Sequence, residues 1–165
     1  MKNHSATNPD FRESACEDSR PRHGILNLNH KEIPMKQEKI TGFLIDVKNQ
    51  IARRVETPDE LEAYYSLLNC STIEIHPVIV GTNGKIYDCI CDEEGNFVDD
   101  QRISALDNFG NVVFVGSLLI VGTADEEGEL TSLNEEDVWY LERFAKNIKT
   151  LMHPEGNIVL TECRM

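Results

Sequence analysis

No apolar run in these 165 residues approaches the roughly 20 that a helix needs to cross a bilayer. The first 20 residues, MKNHSATNPDFRESACEDSR, lack the apolar stretch of a secretory signal, so the expectation is a cytoplasmic protein without membrane contact. Cysteine is sparse and unpaired in pattern. Cys16, Cys70, Cys89, Cys91 and Cys163 make an odd count with no C-x-x-C pair, which suits free thiols in a reducing compartment. Basic charge is scarce, with 16 Lys+Arg against 29 Asp+Glu and a formal net charge of −13. That balance repels phosphates and argues against direct nucleic-acid binding. Arg53-Arg54 is a lone basic pair, and no basic-aromatic motif accompanies it. A phosphate loop is also missing, since GTNGK (81–85) lacks the following Ser/Thr and the helix.

What is present divides unevenly. Residues 1–39 hold 7 Lys+Arg and 6 Asp+Glu, whereas residues 40–165 hold 9 and 23, so the acidity belongs to the second part. Residues 1–39 show neither a 2 nor a 3.6 period and read as a disordered tail. Met35 opens MKQEKITGFLIDV, and the expectation is that residues 1–34 are a mis-set start, with translation beginning at Met35, or a dispensable leader. Residues 40–165 read as one α+β domain.

Within it, ITGFLIDV (40–47) is apolar enough for a central strand. Residues 48–56 read as a loop and a short strand, ARRVE. Thr57-Pro58-Asp59-Glu60 has the form of a capping box, followed by Leu61, Tyr64, Tyr65 and Leu68 at helical spacing. Asn69 suits a left-handed C-cap. TIEIHPVIV (72–80) is a strand with Ile73, Ile75 and Ile79 on one face and Pro77 pointing to an edge or bulge. Gly81-Thr82-Asn83-Gly84 turns it into KIYDCIC (85–91). After a weakly patterned loop (96–106) and the turn DNFGN (107–111), Val112–Gly122 reads as the strongest core strand, with Gly116 marking a bulge. A helix is expected from about Asn134 to Met152, capped by Ser132 or Asn134, with Trp139, Tyr140 and Phe144 widening its apolar face. NIVLTEC (157–163) closes the chain as a strand. The sum is a mostly antiparallel sheet of about five strands, with two helices packed on one face.

The chemistry-bearing residues point to a surface rather than a catalytic centre. From Asp92 to Asp137 there are 13 acids against Arg102 alone. Asp92, Glu93 and Glu94 head one acidic glycine turn, and Asp125, Glu126, Glu127 and Glu129 form a second. With Glu135 and Glu136 they make a candidate acidic interaction surface for a basic protein partner. They do not fit an EF-hand, because the sixth position from Asp92 is Phe97 rather than glycine. Cys89 and Cys91 share one strand face, and His76 lies on the neighbouring strand, but a fourth zinc ligand with suitable spacing is missing. Small buried thiols and a structural histidine are the expectation, with no catalytic residue, no metal and no cofactor.

From PDELEAYYSLL (58–68) through TIEIHPV (72–78) and ICDEEG (90–95) to a glycine-led apolar strand and a helix capped by Thr-Ser-Leu (131–133), the chain resembles the domain of unknown function 3846 family. The resemblance spans roughly residues 40–150. The chain has Asp-Gln-Arg (100–102) where the family often carries Pro-Asn-Arg. The resemblance implies an accessory protein of a phage, plasmid or conjugative element, and it assigns no catalytic residues. In that context the expected function is a non-enzymatic protein-interaction module. The competing readings are an acidic DNA mimic that inhibits a nucleic-acid-binding defence enzyme, and a small metal-dependent enzyme using the clustered acids. Oligomeric state is left open.

Overall fold

The computed structural model describes residues 38–97 and 102–165. The expectations for a disordered tail, for a start at Met35 and for residues 98–101 therefore fall wholly or largely outside the described residues. Strand β1 (Lys39–Asp46) is buried on both faces along Phe43–Ile45, as its apolar density requires. The Asp46 carboxylate accepts from the amides of Lys48 and Asn49 and closes a turn into β2 (Ile51–Pro58). β2 is longer than expected. It pairs with β1 through Thr57 and Pro58, so those residues are spent in a ladder and the capping box does not form. Helix α1 (Leu61–Leu68) starts at Glu60 with no side-chain cap. Tyr64 donates instead to the Asp59 carboxylate at 2.5 Å, and Asn69 ends the helix at φ 56°, ψ 48°, as expected.

β3 (Ile73–Val80) and β4 (Ile86–Asp92) form the expected hairpin around Gly81 and Gly84, both at positive φ. Ile73, Ile75 and Ile79 share one face, as expected, and the fully buried residues lie on the other. Val78 and Val80 enter the core, whereas Ile75 is 48% exposed. The choice follows from what covers each face, which no single strand specifies.

β5 (Ile103–Leu106) occupies part of the expected loop and pairs with β6 (Val112–Val115) across the Asp107 turn. The strand expected over 112–122 is two. Gly116, at φ 84°, breaks it, and β7 (Leu118–Gly122) continues in a different sheet. Helix α2 (Glu135–Glu142) is capped by the Asn134 side chain, which accepts from the Asp137 amide at 2.8 Å. It stops ten residues before Met152. Phe144 O accepts from both the amide and the hydroxyl of Thr161, and β8 (Ala145–Ile148) pairs with β9 (Asn157–Leu160). Asn147, Ile148 and Thr150 are weak helix formers, so the pairing wins. Leu151 and Met152 are exposed, and Trp139, expected to widen the apolar face, is 68% exposed. The final strand also divides. Glu162, at φ 58°, separates β9 from β10 (Cys163–Arg164), which returns to β3.

The result is an α+β fold with two sheets, ordered β10-β3-β4-β7-β1-β2 and β6-β5-β9-β8. Every pairing is antiparallel except β5 with β9. The excess over the expected five or so strands has three sources: two runs that split (β6/β7 and β9/β10), β5 in an expected loop and β8 in an expected helix, and a longer β2. The two helices do not share a face. Tyr64 and Leu68 of α1 pack with Leu44, Ile90, Leu119 and Val121 on one side of the larger sheet. Val138 and Leu141 of α2 pack with Phe43, Ile45, Tyr87 and Ile120 on the other, together with Ala105, Phe114 and Leu160 of the smaller sheet. Strand alternation sends odd and even residues of β1 and β7 into these two separate cores.

Candidate functional site

The acidic turns are built by their own aspartates. Asp92 Oδ1 accepts from the Glu94 amide, and Asp125 Oδ1 accepts from the amides of Glu127 and Glu129. Asp107 does the same for Phe109 and Asn111. These bonds, led by that from the Asn111 side chain, hold the Asp107 carboxyl below the usual carboxylate range. The device is local: a carboxylate bonded to amides two to four residues on offers the backbone its turn.

The two acidic turns are not neighbours. In the β4–β7 ladder Cys91 faces Leu118 and Tyr87 faces Gly122. Asp92–Glu94 therefore leave one end of the sheet, while Asp125–Glu129 leave the other. The six residue steps of β4 place them about 20 Å apart along the strand. Glu135 and Glu136 lie with the second turn, because Thr131 bridges to Gly122 just before α2. Apart from the half-buried Asp92, these acids are exposed.

Two further carboxylates are buried. Asp88 accepts from the Ala124 amide at 2.8 Å. Asp137 accepts from Lys85 Nζ at 2.6 Å and from the Tyr87 hydroxyl at 3.2 Å. One helical turn on, Tyr140 Oη donates to Val80 O and accepts from the amides of Thr82 and Asn83. A Cβ at Gly81 would run into Phe144 and the Tyr140 hydroxyl. α2 is thus fastened to the β3–β4 hairpin by a saturated polar network. In the sequence Asp137 is only the last of the 13 acids that begin at Asp92. Its three-residue spacing from Asn134 was the available signal, but its partners lie about 50 residues away.

Cys89 and Cys91 do share a face, as expected, and both are buried. Burial, reinforced by neighbouring thiols and Asp88, drives the Cys89 thiol well above its ordinary value. Burial, then Glu74, pushes Cys91 up to about 12. Neither is an activated nucleophile. His76 Nε2 meets Glu74 Oε2 at 2.8 Å. Together with Cys91, Asp92, Phe114 and Met165 they line a cleft of about 140 Å3. Cys89 lies outside this cleft, and among the described residues no three His, Cys, Asp or Glu side chains are grouped to hold a metal ion.

A larger groove of about 310 Å3 runs between β2 and α1. Arg53, Val55, Glu56 and Thr57 form its strand side, and Ala63, Ser66 and Leu67 its helical wall. The small side chains of Ala63 and Ser66 keep the wall back from the strand. Arg54 points to the other face, where it meets Glu56 at 3.2 Å and Glu135 at 3.9 Å. Arg53 has no ion pair among the described residues.

The domain of unknown function DUF3846 matches residues 40–148, about two thirds of the chain. The chain belongs to this family. The matched span runs from β1 into β8 and contains both the β2–α1 groove and the docked hairpin. It excludes β9 and β10, the strands that complete the smaller sheet and cover the end of β3. No curated protein and no solved structure matches the chain. Among the described residues no helix is long and apolar enough to cross a membrane.

Proposed function

We propose that this DUF3846 protein is a non-enzymatic accessory module of a mobile genetic element that works by binding another protein. One observation carries the reading: among the described residues, the buried thiols, His76 and Asp137 are taken up by contacts within the fold, while charge and backbone edges are left outside. Among the described residues, the Cys89, Cys91 and Cys163 thiols are buried and raised and Cys70 is half-buried, while His76 is held by Glu74 and Asp137 by Lys85 and Tyr87. Glu93, Glu94, Asp125, Glu126, Glu127, Glu129, Glu135 and Glu136 are exposed and suit a basic partner surface.

The DNA-mimic reading ranks second. DNA carries a charge every ~1.7 Å of its axis, whereas these acids form two groups at opposite ends of a sheet. A metal-dependent enzyme ranks third, and an unchanged melting temperature in millimolar calcium, magnesium or zinc would remove it.

The test is affinity capture from the producing organism's lysate at two salt concentrations. It compares the native chain with a quadruple variant carrying Glu126→Lys, Glu127→Lys, Glu135→Lys and Glu136→Lys. The reading expects a protein retained at low salt, released at high salt and lost by the variant. A chain that captures nothing, or a nucleic-acid enzyme inhibited in proportion to the acids, counts against it.

A further inference from the structure

The hydrogen-bond parity of β2 leaves a full row of backbone groups facing outward. Thr41 N–H donates to Ser132 Oγ, and Thr41 O accepts from the Leu133 amide, so Thr41 faces away from β2. Alternation then turns Ile40, Gly42, Leu44 and Asp46 toward β2. Their partners are Thr57, Val55, Arg53 and Ile51, whose backbone groups are used. Asp59 N–H, donating to Glu38 O, continues the same parity. The amides and carbonyls of Ala52, Arg54 and Glu56 therefore point outward. None has a partner among the described residues.

Other edges are guarded. Gly81 N–H donates to Glu162 O, which makes Ile73, Ile75, Pro77 and Ile79 the outward residues of β3. There β10 covers Ile79, and Pro77 interrupts the row with no amide to give. β6 and β8 are four residues long, and the β5–β6 pairing is irregular. β2 is eight residues long, and its proline, Pro58, sits at its end.

The side chains beside this edge select an occupant. Arg53, Val55 and Thr57 face α1, so a strand added to β2 sends alternate side chains into the groove. In an antiparallel strand, the residue opposite Val55 meets Leu67 and Ala63, and the residue two positions later comes opposite Arg53. The Arg53 guanidinium, with no ion pair among the described residues, is complementary to a carboxylate there, since Glu56, which also borders the groove, is paired with Arg54. A second copy is disfavoured, because two chains at −13 each repel.

We infer that β2 and α1 form a docking groove for an extended segment of a partner protein, which adds antiparallel to β2 with an apolar residue opposite Val55 and an Asp or Glu two residues later on Arg53. This rests on the interaction-module reading and names how the partner is held. It uses a different surface from the acidic turns, so the two fail separately.

The probe is an acetylated octapeptide alternating valine and threonine, with one aspartate two residues after a valine. It is titrated into the full-length chain and followed by amide NMR. A lysine-for-aspartate twin tests the charge, and a twin N-methylated on the β2-facing amides tests the backbone bonds without touching the protein. The expected shifts centre on Ala52, Arg54 and Glu56, with Ala63, Ser66 and Leu67 responding across the groove. The aspartate peptide binds at least about tenfold more tightly than the lysine twin, the scale of one charge-assisted hydrogen bond. Arg53→Ser erases that difference, and N-methylation weakens binding by at least about tenfold. The inference is overturned by silence at millimolar peptide, by equal affinity of the twins, or by an N-methylated peptide that binds as well as its parent. It is also overturned if shifts centre on β3 or the acidic turns, or if dilution without peptide moves the β2 amides as a self-dimer dissociates. None of these touches the capture experiment, which tests the interaction-module reading by itself.

Discussion

The two ends of α2 and α1 treat the larger sheet in opposite ways. Where α2 meets the β3–β4 hairpin, nearly every polar group is spoken for: Lys85, Tyr87 and Asp137 share one bond set, and Tyr140 serves three backbone groups. Where α1 lies beside β2, a row of amides and carbonyls has no partner among the described residues, and a groove of about 310 Å3 stands between them. The first region is fold and the second is surface. Stability lives in the saturated end, because a buried group stripped of its partner costs its full desolvation. Freedom to bind lives at the open edge, because water already satisfies it there.

Raising the pH should strike the saturated interior hardest. Burial raises Cys91 and Cys163 from 9.0, and Tyr87 from 10.0, each to about 12. A folded-state value above the unfolded one means that the folded form holds its proton more tightly. Stability is therefore complete below about pH 9 and is lost as the pH climbs toward about 12. Thermal melts across pH 7–11 should be flat at first and fall steeply beyond about 9; a flat profile to pH 11 would place these groups in water.

Asp137→Ala comes next. It leaves the Tyr87 hydroxyl and Lys85 without their acceptor and should cost about 2 kcal/mol in urea unfolding, discounted because Lys85 is half-exposed. Tyr140→Phe loses one hydroxyl that serves Val80, Thr82 and Asn83, and should cost about 1 kcal/mol in the same assay. Arg54→Thr on the open edge should change stability by less than about 0.5 kcal/mol, since its exposed ion pairs are worth little. Equal costs for Tyr140→Phe and Arg54→Thr would erase the distinction between the two regions.

How much of this was legible depended on distance along the chain. Local devices read correctly: the Asn69 and Asn134 caps, the Gly81–Gly84 turn and the aspartate-led turns each need a few residues only. Long-range competition was hidden. Thr57 and Pro58 look like a helix start until β1 claims them as a ladder. Ala145 and Ile148 fit a helix spacing and also a strand, and Thr161 and β9 settle it. Val112–Gly122 is one apolar run, but Gly116 turns it between sheets. For the surface, the acids were visible and their separation was not. Arg53 was visible as part of a basic pair, but its divergence from Arg54 needs the strand's alternation and the helix on one face.

Residue-resolved hydrogen exchange along β2 tests the central distinction most directly. The amides of Arg53, Val55 and Thr57, bonded to β1, should exchange at least about a hundredfold more slowly than those of Ala52, Arg54 and Glu56. Uniform protection along the strand, or the opposite alternation, would mean that the β2 edge is already occupied or faces the other way, and would contradict the account.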